Sequence, residues 1–123
     1  MMTELNELDL HQLAMDIVGK HLEEDGFEFM TVNSSLKKDP QFVCLKEKKL
    51  HFIIVRAVSY PSNPRNYDRS FMEKVQMHAE KFEAQTYYAG VGLAHAENYE
   101  WPLTRQAPYA INYQGLQEIT LNA

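Results

Sequence analysis

The chain has 123 residues, 45% of them hydrophobic and 24% charged, with a formal net charge of -5. That length suits one domain with its own core, the composition excludes a disordered or low-complexity chain, and the negative balance works against a nucleic-acid backbone unless the basic residues gather on one face. Cys44 is the single cysteine, which excludes an internal disulfide and any thiolate metal cluster and fits a reducing compartment.

The opening segment MMTELNELDLHQ is acidic where a secretory leader is basic and then apolar, and no run approaches the roughly 18 apolar residues of a membrane span. A cytoplasmic protein without a membrane span is expected. Over residues 9–24, Leu10, Leu13, Ala14, Ile17, Val18 and Leu22 recur at three- and four-residue steps and mark one stripe of a helix. Asp9 with Gln12 has capping-box spacing, and Gly26 suits the left-handed residue that closes such a helix. Residues 27–32 then alternate as a strand, with Phe27, Phe29 and Thr31 on the fully buried face and Glu28, Met30 and Val32 on a partly buried one. After a loop at 33–40, residues 41–46 and 50–58 are β-type runs joined by Glu47, Lys48 and Lys49, so they should pair antiparallel. Phe52, Ile53, Ile54 and Val55 are apolar on both faces, which makes this strand central and calls for a helix on each side.

The prolines of SYPSNP, residues 59–64, stop both strand and helix. A second helix follows to about Ala84, with Ser70 and Glu73 at capping-box spacing and Phe71, Val75, Ala79 and Phe82 as the inward stripe. Residues 87–94 and 109–113 are two further strands. The order α-β-β-β-α-β-β predicts a single α/β domain of the α+β type over residues 1–123, its mixed central sheet covered by a helix on each face. The loop at 95–108 is long for a compact domain and carries Tyr99, Trp101 and Arg105, which makes it the expected binding or oligomer surface. Trp101 as a plug at one end of the core is the alternative.

No serine lies in a GxSxG context, so a nucleophile elbow is not expected. His11, His21, His51, His78 and His95 show neither i, i+4 pairing nor HxH spacing, and no metal or cofactor is expected. GVGLA, residues 90–94, lies inside a strand pattern instead of opening a helix, so Gly90 and Gly92 predict a bulge or a close backbone approach. Lys37, Lys38, Lys46, Lys48 and Lys49 cluster in sequence without interleaved aromatic residues, the pattern of a solvated hairpin face more than of a nucleic-acid patch.

The element order, together with LEEDGFEF, DPQFV and LHFIIVRAV, resembles the PD-(D/E)xK or restriction-endonuclease-like superfamily in its small Holliday-junction-resolvase-like forms. The resemblance covers most of the chain and implies that fold. It also implies a cleft in which an Asp at the start of the second strand and an acidic residue, a spacer and a Lys on the third hold Mg²⁺ and activate water. Those positions fall here on Gln41, Ile54 and Arg56, so the family's carboxylates and lysine are all replaced. Mg²⁺ wants anionic oxygen ligands, and an arginine keeps its proton, so the resemblance implies a nuclease-like scaffold without its chemistry. Asp39 stands two residues before Gln41 and offers one ligand only through a register shift; Arg56 is expected to pair with Glu28 or Asp39.

The leading expectation is therefore a non-enzymatic interaction module, a homodimer or a binder of another protein. The alternative is a nucleic-acid-binding or cleaving protein that uses residues 37–49. A third is a small-molecule site between the second helix and the Gly90 strand. A weaker resemblance, to proteins named after the iron–sulfur component of the sodium-translocating NADH:quinone reductase, implies an accessory role. The cluster of that component needs four cysteines, against Cys44 alone.

Overall fold

A computed structural model describes residues 3–120, so both ends of the expected 1–123 domain lie outside the described residues. Helix α1 (Glu7–Glu24) starts earlier than its apolar stripe suggests, because Asn6 caps it. The Asn6 side chain accepts from the Asp9 amide at 2.8 Å, and the Asp9 carboxylate accepts from the Asn6 amide at 3.0 Å. The capping box is thus Asn6 with Asp9, while Gln12 donates to the Ser34 carbonyl at 2.9 Å. At the far end Gly26 has φ 87°, and the Gly26 and Phe27 amides donate to the Glu23 and Leu22 carbonyls. That double closure places a residue without Cβ where a side chain would be strained.

Strands β1 (Glu28–Val32), β2 (Phe42–Lys46) and β3 (Lys49–Ser59) form an antiparallel meander. The β2–β3 turn is Glu47–Lys48, with φ of 53° and 66°, the mirror-image turn that suits the twist of a two-residue hairpin. Helix α2 (Arg69–Glu80) then carries the chain back, so that β4 (Gln85–His95) lies parallel to β3 from His51↔Gln85 to Ser59↔Leu93. Strands β5 (Tyr109–Asn112) and β6 (Gln117–Glu118) both pair antiparallel with β4, near its end and its beginning respectively. The result is a mixed six-stranded sheet in the order β1-β2-β3-β4-β5, with β6 beside β4. A two-residue strand carries no periodicity, and β6 is invisible in the sequence for that reason.

The α+β prediction holds. Ala14, Val18 and Leu22 of α1 pack with Ile53, Val55, Ala89 and Val91 on one face of the sheet. On the other, Met72 of α2 packs with Ile54, Tyr88 and Ile119. Both clusters are fully or almost fully buried, which is why β3 is apolar on both sides. Helix α2 departs from the sequence pattern in two respects. Its cap is Asp68, which accepts from the Phe71 amide at 3.0 Å, whereas Glu73 pairs with Arg69 on the exposed side. It also stops at Glu80, so Phe82 falls beyond it and remains 52% exposed, resting on Phe52 at 5.8 Å. Met72 fills the core position instead.

Strand β1 is an edge, and only Phe27 and Phe29 of its predicted buried face turn inward; Phe29 stacks on Phe42 at 5.4 Å while Thr31 is exposed. The register slips between Phe29 and Thr31, a bulge that bends the strand away from the layer above it.

The glycines of β4 do mark a close approach. A Cβ on Gly90 would lie 1.8 Å from the Pro64 carbonyl oxygen, and one on Gly92 would lie 3.2 Å from Pro64 Cγ. The loop after β3 therefore lies directly on the sheet, with Pro64 buried. Gly90→Ala is expected to destabilise the fold by about 3 kcal/mol or more, because backbone must shift to admit the methyl. Gly19→Ala in α1, whose Cβ would meet nothing nearer than 3.4 Å, is expected to be neutral or stabilising by up to ~1 kcal/mol. Urea unfolding of the two variants checks both.

Candidate functional site

Strand β2 begins at Phe42, opposite Ile53, so β3 continues past its partner. The next donor on β3 in that direction, the buried amide of Val55, finds no strand carbonyl because Pro40 and Gln41 lie outside the ladder. The Gln41 side chain takes its place. Its Oε1 accepts from the Val55 amide at 2.7 Å, its Nε2 donates to Asp39 Oδ1 at 2.8 Å, and its own amide donates to the Ile53 carbonyl at 3.1 Å. Arg56 then holds both Asp39 oxygens, at 2.9 and 3.0 Å, and reaches Gln41 Oε1 at 3.4 Å. Of the two partners foreseen for Arg56, Asp39 is the one used. The pair is mostly shielded, with the side chains 25% and 17% exposed, and the guanidinium lies 5.4 Å from the Phe71 ring centre.

The structure therefore joins Gln41 and Arg56 through Asp39 and leaves Ile54 apart, fully buried among Met72, Tyr88 and Ile119. This arrangement does not fit the Mg²⁺ that the nuclease resemblance implies. Both Asp39 oxygens serve Arg56, the Gln41 oxygen serves a backbone amide, and Ile54 offers no ligand atom. Among the described residues no three His, Cys, Asp or Glu side chains stand together as a metal site. Cys44 is fully buried, and burial pushes its thiol up to about 11, so no reactive thiolate is present at neutral pH.

The basic run of residues 37–49 divides in space. Lys37 and Lys38 precede β2, whereas Lys46, Lys48 and Lys49 lie at its far end around the hairpin turn. Lys46 spends its charge over the Phe27 ring, at 4.7 Å.

The loop between β4 and β5 forms the second site. It is pinned rather than loose: the Ala96 amide donates to the Pro108 carbonyl at 2.9 Å, and the Leu5 and Arg105 amides donate to the Leu103 and Thr3 carbonyls. Leu103 and Ala107 are buried and close this end of the core, so Trp101, 52% exposed, is not the plug. Its indole stands edge-on to the buried His95 at 5.2 Å. Arg105 turns away to Asp9 at 3.6 Å.

On the α2 side of the sheet the floor beyond Gly90 is built of small side chains, Gly92 and Ala94 of β4 opposite Asn112 and Ala110 of β5. Walled by Tyr60, Pro64 and Tyr99, it leaves a groove of about 310 Å³ at the carboxyl ends of the two parallel strands, where open α/β sheets place their ligands. Tyr60 and Tyr99 touch, with ring centres 5.3 Å apart. Beyond them a second hollow of about 270 Å³ is bordered by the same two tyrosines together with Glu4, Glu100 and Trp101. Tyr99 and Trp101 thus belong to this surface and Arg105 does not. Gly92 is one of the two glycines expected to mark a close approach, whereas Tyr60 and Pro64 are site residues that the sequence reading leaves in a plain loop, the prolines of SYPSNP being their one signal.

Two tests follow from the polar groups. Gln41→Leu strands the buried Val55 amide and one Asp39 contact, and is expected to cost about 2–3 kcal/mol, read as a lower urea midpoint at unchanged slope. Burial, with lesser contributions from neighbouring cations, lowers the pKa of His11 and of His51 below the ordinary 6.5. The unfolded chain then takes up protons more readily, so stability is complete above pH 6.5 and declines as pH falls through the folded values. Burial alone would raise Asp39, but its bonds to Arg56 and Gln41 outweigh that and hold it below 3.8, so its contribution is lost only in more acidic solution. Urea midpoints measured from pH 8 to pH 3 should show both declines, and the double variant His11→Gln, His51→Gln should lose the upper one.

No curated protein and no solved structure matches the chain. A family model described as a domain of unknown function, DUF8840, matches residues 8–119, a span that runs from the first turn of α1 through β6 and includes both the polar cluster and the groove. The chain belongs to the DUF8840 family.

Proposed function

We propose that this domain is a recognition module, not a catalyst, and that it takes an extended segment of a partner protein in the groove between Tyr60 and Tyr99. The observation that carries this is where apolar surface is left uncovered. Tyr60, Tyr99 and Trp101, each about half exposed, stand together around the groove and the hollow beside it, while Tyr109 and Ile111, opposite His95 and Leu93 in the ladder, turn to the other face from the floor residues Ala110 and Asn112. Aromatic side chains beside a preformed hollow are the usual anchors of protein interfaces. The groove is lined mainly by small, aromatic and neutral groups, with Ser62 and Asn112 as its polar points, a lining suited to holding a chain more than to moving a proton. The Asp39, Gln41 and Arg56 cluster, in turn, directs its bonds at its own members and at the adjoining backbone of Lys38 and Val55. That self-contained cluster, on a helix-flanked mixed sheet, supports a nuclease-like scaffold whose metal-holding positions have become structural. A second copy of the chain is one candidate partner.

The test is selection of peptides from a random display library against the pure protein, followed by backbone amide shift mapping. Selected peptides are expected to perturb Tyr60, Gly92, Tyr99 and Ile111 and to lose at least about tenfold in affinity on Tyr99→Ala, as interface anchors do. A footprint elsewhere, or affinity unchanged by Tyr99→Ala, sinks the proposal. Sedimentation at rising concentration, with the same variant as control, shows whether the chain itself is the occupant.

A further inference from the structure

The second hollow differs from the groove in charge. Its border carries two carboxylates, Glu4 and Glu100, beside the rings of Tyr60, Tyr99 and Trp101. Neither glutamate has a basic partner among the ion pairs of the described residues, which join Arg56 to Asp39, Arg69 to Glu73 and Arg105 to Asp9. Among the described residues the rings are likewise without a cation, since the two that lie over aromatic faces are Lys46 on Phe27 and Arg56 on Phe71. Three half-exposed aromatic rings and two carboxylates thus border a space of about 270 Å³, and among the described residues no cation pairs with either carboxylate or lies over these rings.

We infer that this hollow is a subsite for an organic cation, the ammonium or guanidinium of a lysine or arginine in the partner segment. The assignment rests on the groove reading and sharpens it: the segment places an apolar side chain over Gly92 and Ala94 and a basic one next to it, past the Tyr60–Tyr99 pair. Ring faces attract a cation through their quadrupole, and the carboxylates add Coulomb attraction without requiring a fixed contact geometry. Both walls are held in place. Glu4 pairs with Thr104 as an isolated bridge, and Asn98 fixes the turn before Trp101 by accepting from the Glu100 amide at 2.9 Å and the Trp101 amide at 3.0 Å. A preformed pocket spends little ordering entropy on its ligand.

Trp101 is the only tryptophan in the chain, so its emission reports this hollow alone. The probes are Nα-acetyl-lysine methylamide and the uncharged Nα-acetyl-norleucine methylamide, titrated against the whole chain with emission and amide shifts as readouts. The lysine probe is expected to give a saturable change centred on Glu4, Tyr99 and Glu100, at least about fivefold tighter than norleucine and weakened by salt. Glu100→Gln, an exposed position, should weaken the lysine probe about three- to fivefold and leave norleucine unchanged. Equal binding of the two probes, or no saturable change with lysine, overturns the inference. If selected peptides still depend on Tyr99 in that case, the groove reading stands without its cation subsite. If they do not, both fall.

Discussion

The contact between Pro64 and Gly90 sets the geometry of everything at the functional end of this molecule. A backbone carbonyl occupies the place where β4 would otherwise carry a side chain, 1.8 Å from the position of the missing Cβ. Because of it the segment after β3 lies flat on the sheet, which aligns Tyr60 with Tyr99 from the opposite loop and leaves the neighbouring small residues of β4 and β5 as an uncovered floor. Helix α2 starts only at Arg69, on the far side of that segment, and covers the other half of the face. The groove is thus the space between two coverings, one made by a helix and one by a proline.

The opposite margin is governed by a different need. Strand β3 outruns β2, and a buried amide beyond the last ladder bond costs roughly 1–3 kcal/mol if left bare. Gln41 supplies the acceptor from its side chain and ties its amide nitrogen to Asp39, which Arg56 neutralises. Each of these groups answers the demand of another, and the chain of demands begins with the backbone. A glutamine, not an aspartate, suits this position because it must accept from Val55 and donate to Asp39 at once.

Much of the architecture was legible because it rests on local periodicity. The stripe of α1, the hairpin and the doubly apolar β3 each follow from residues a few positions apart. The caps were less so: Asn6 and Asp68 lie just outside the apolar stripes that suggest Asp9 and Ser70 as starts. Extending the α2 period past Glu80, where the helix ends, places Phe82 inward against the observed exposure. The lysine cluster dissolved because a strand keeps neighbours in sequence apart in space: five residues of β2 at about 3.3 Å each separate its two halves. The candidate site was legible only in fragments, Tyr99 and Trp101 from the long loop and the glycines from β4. Its walls come from residues near 60, 92, 99 and 111, and no local pattern announces that such segments meet.

The slip in register at Met30 reaches beyond its own strand. Edge strands are templates on which a neighbouring molecule can lay a strand of its own, and Met30 and Val32, 55% and 53% exposed, would make the outer side of β1 an inviting one. With one extra residue between Phe29 and Thr31, an incoming strand that follows the first two positions finds the next amides displaced and the ribbon twisted away. A bulge at that place works against continuous pairing along the margin, which is how edge strands with exposed apolar residues are commonly kept from joining their neighbours.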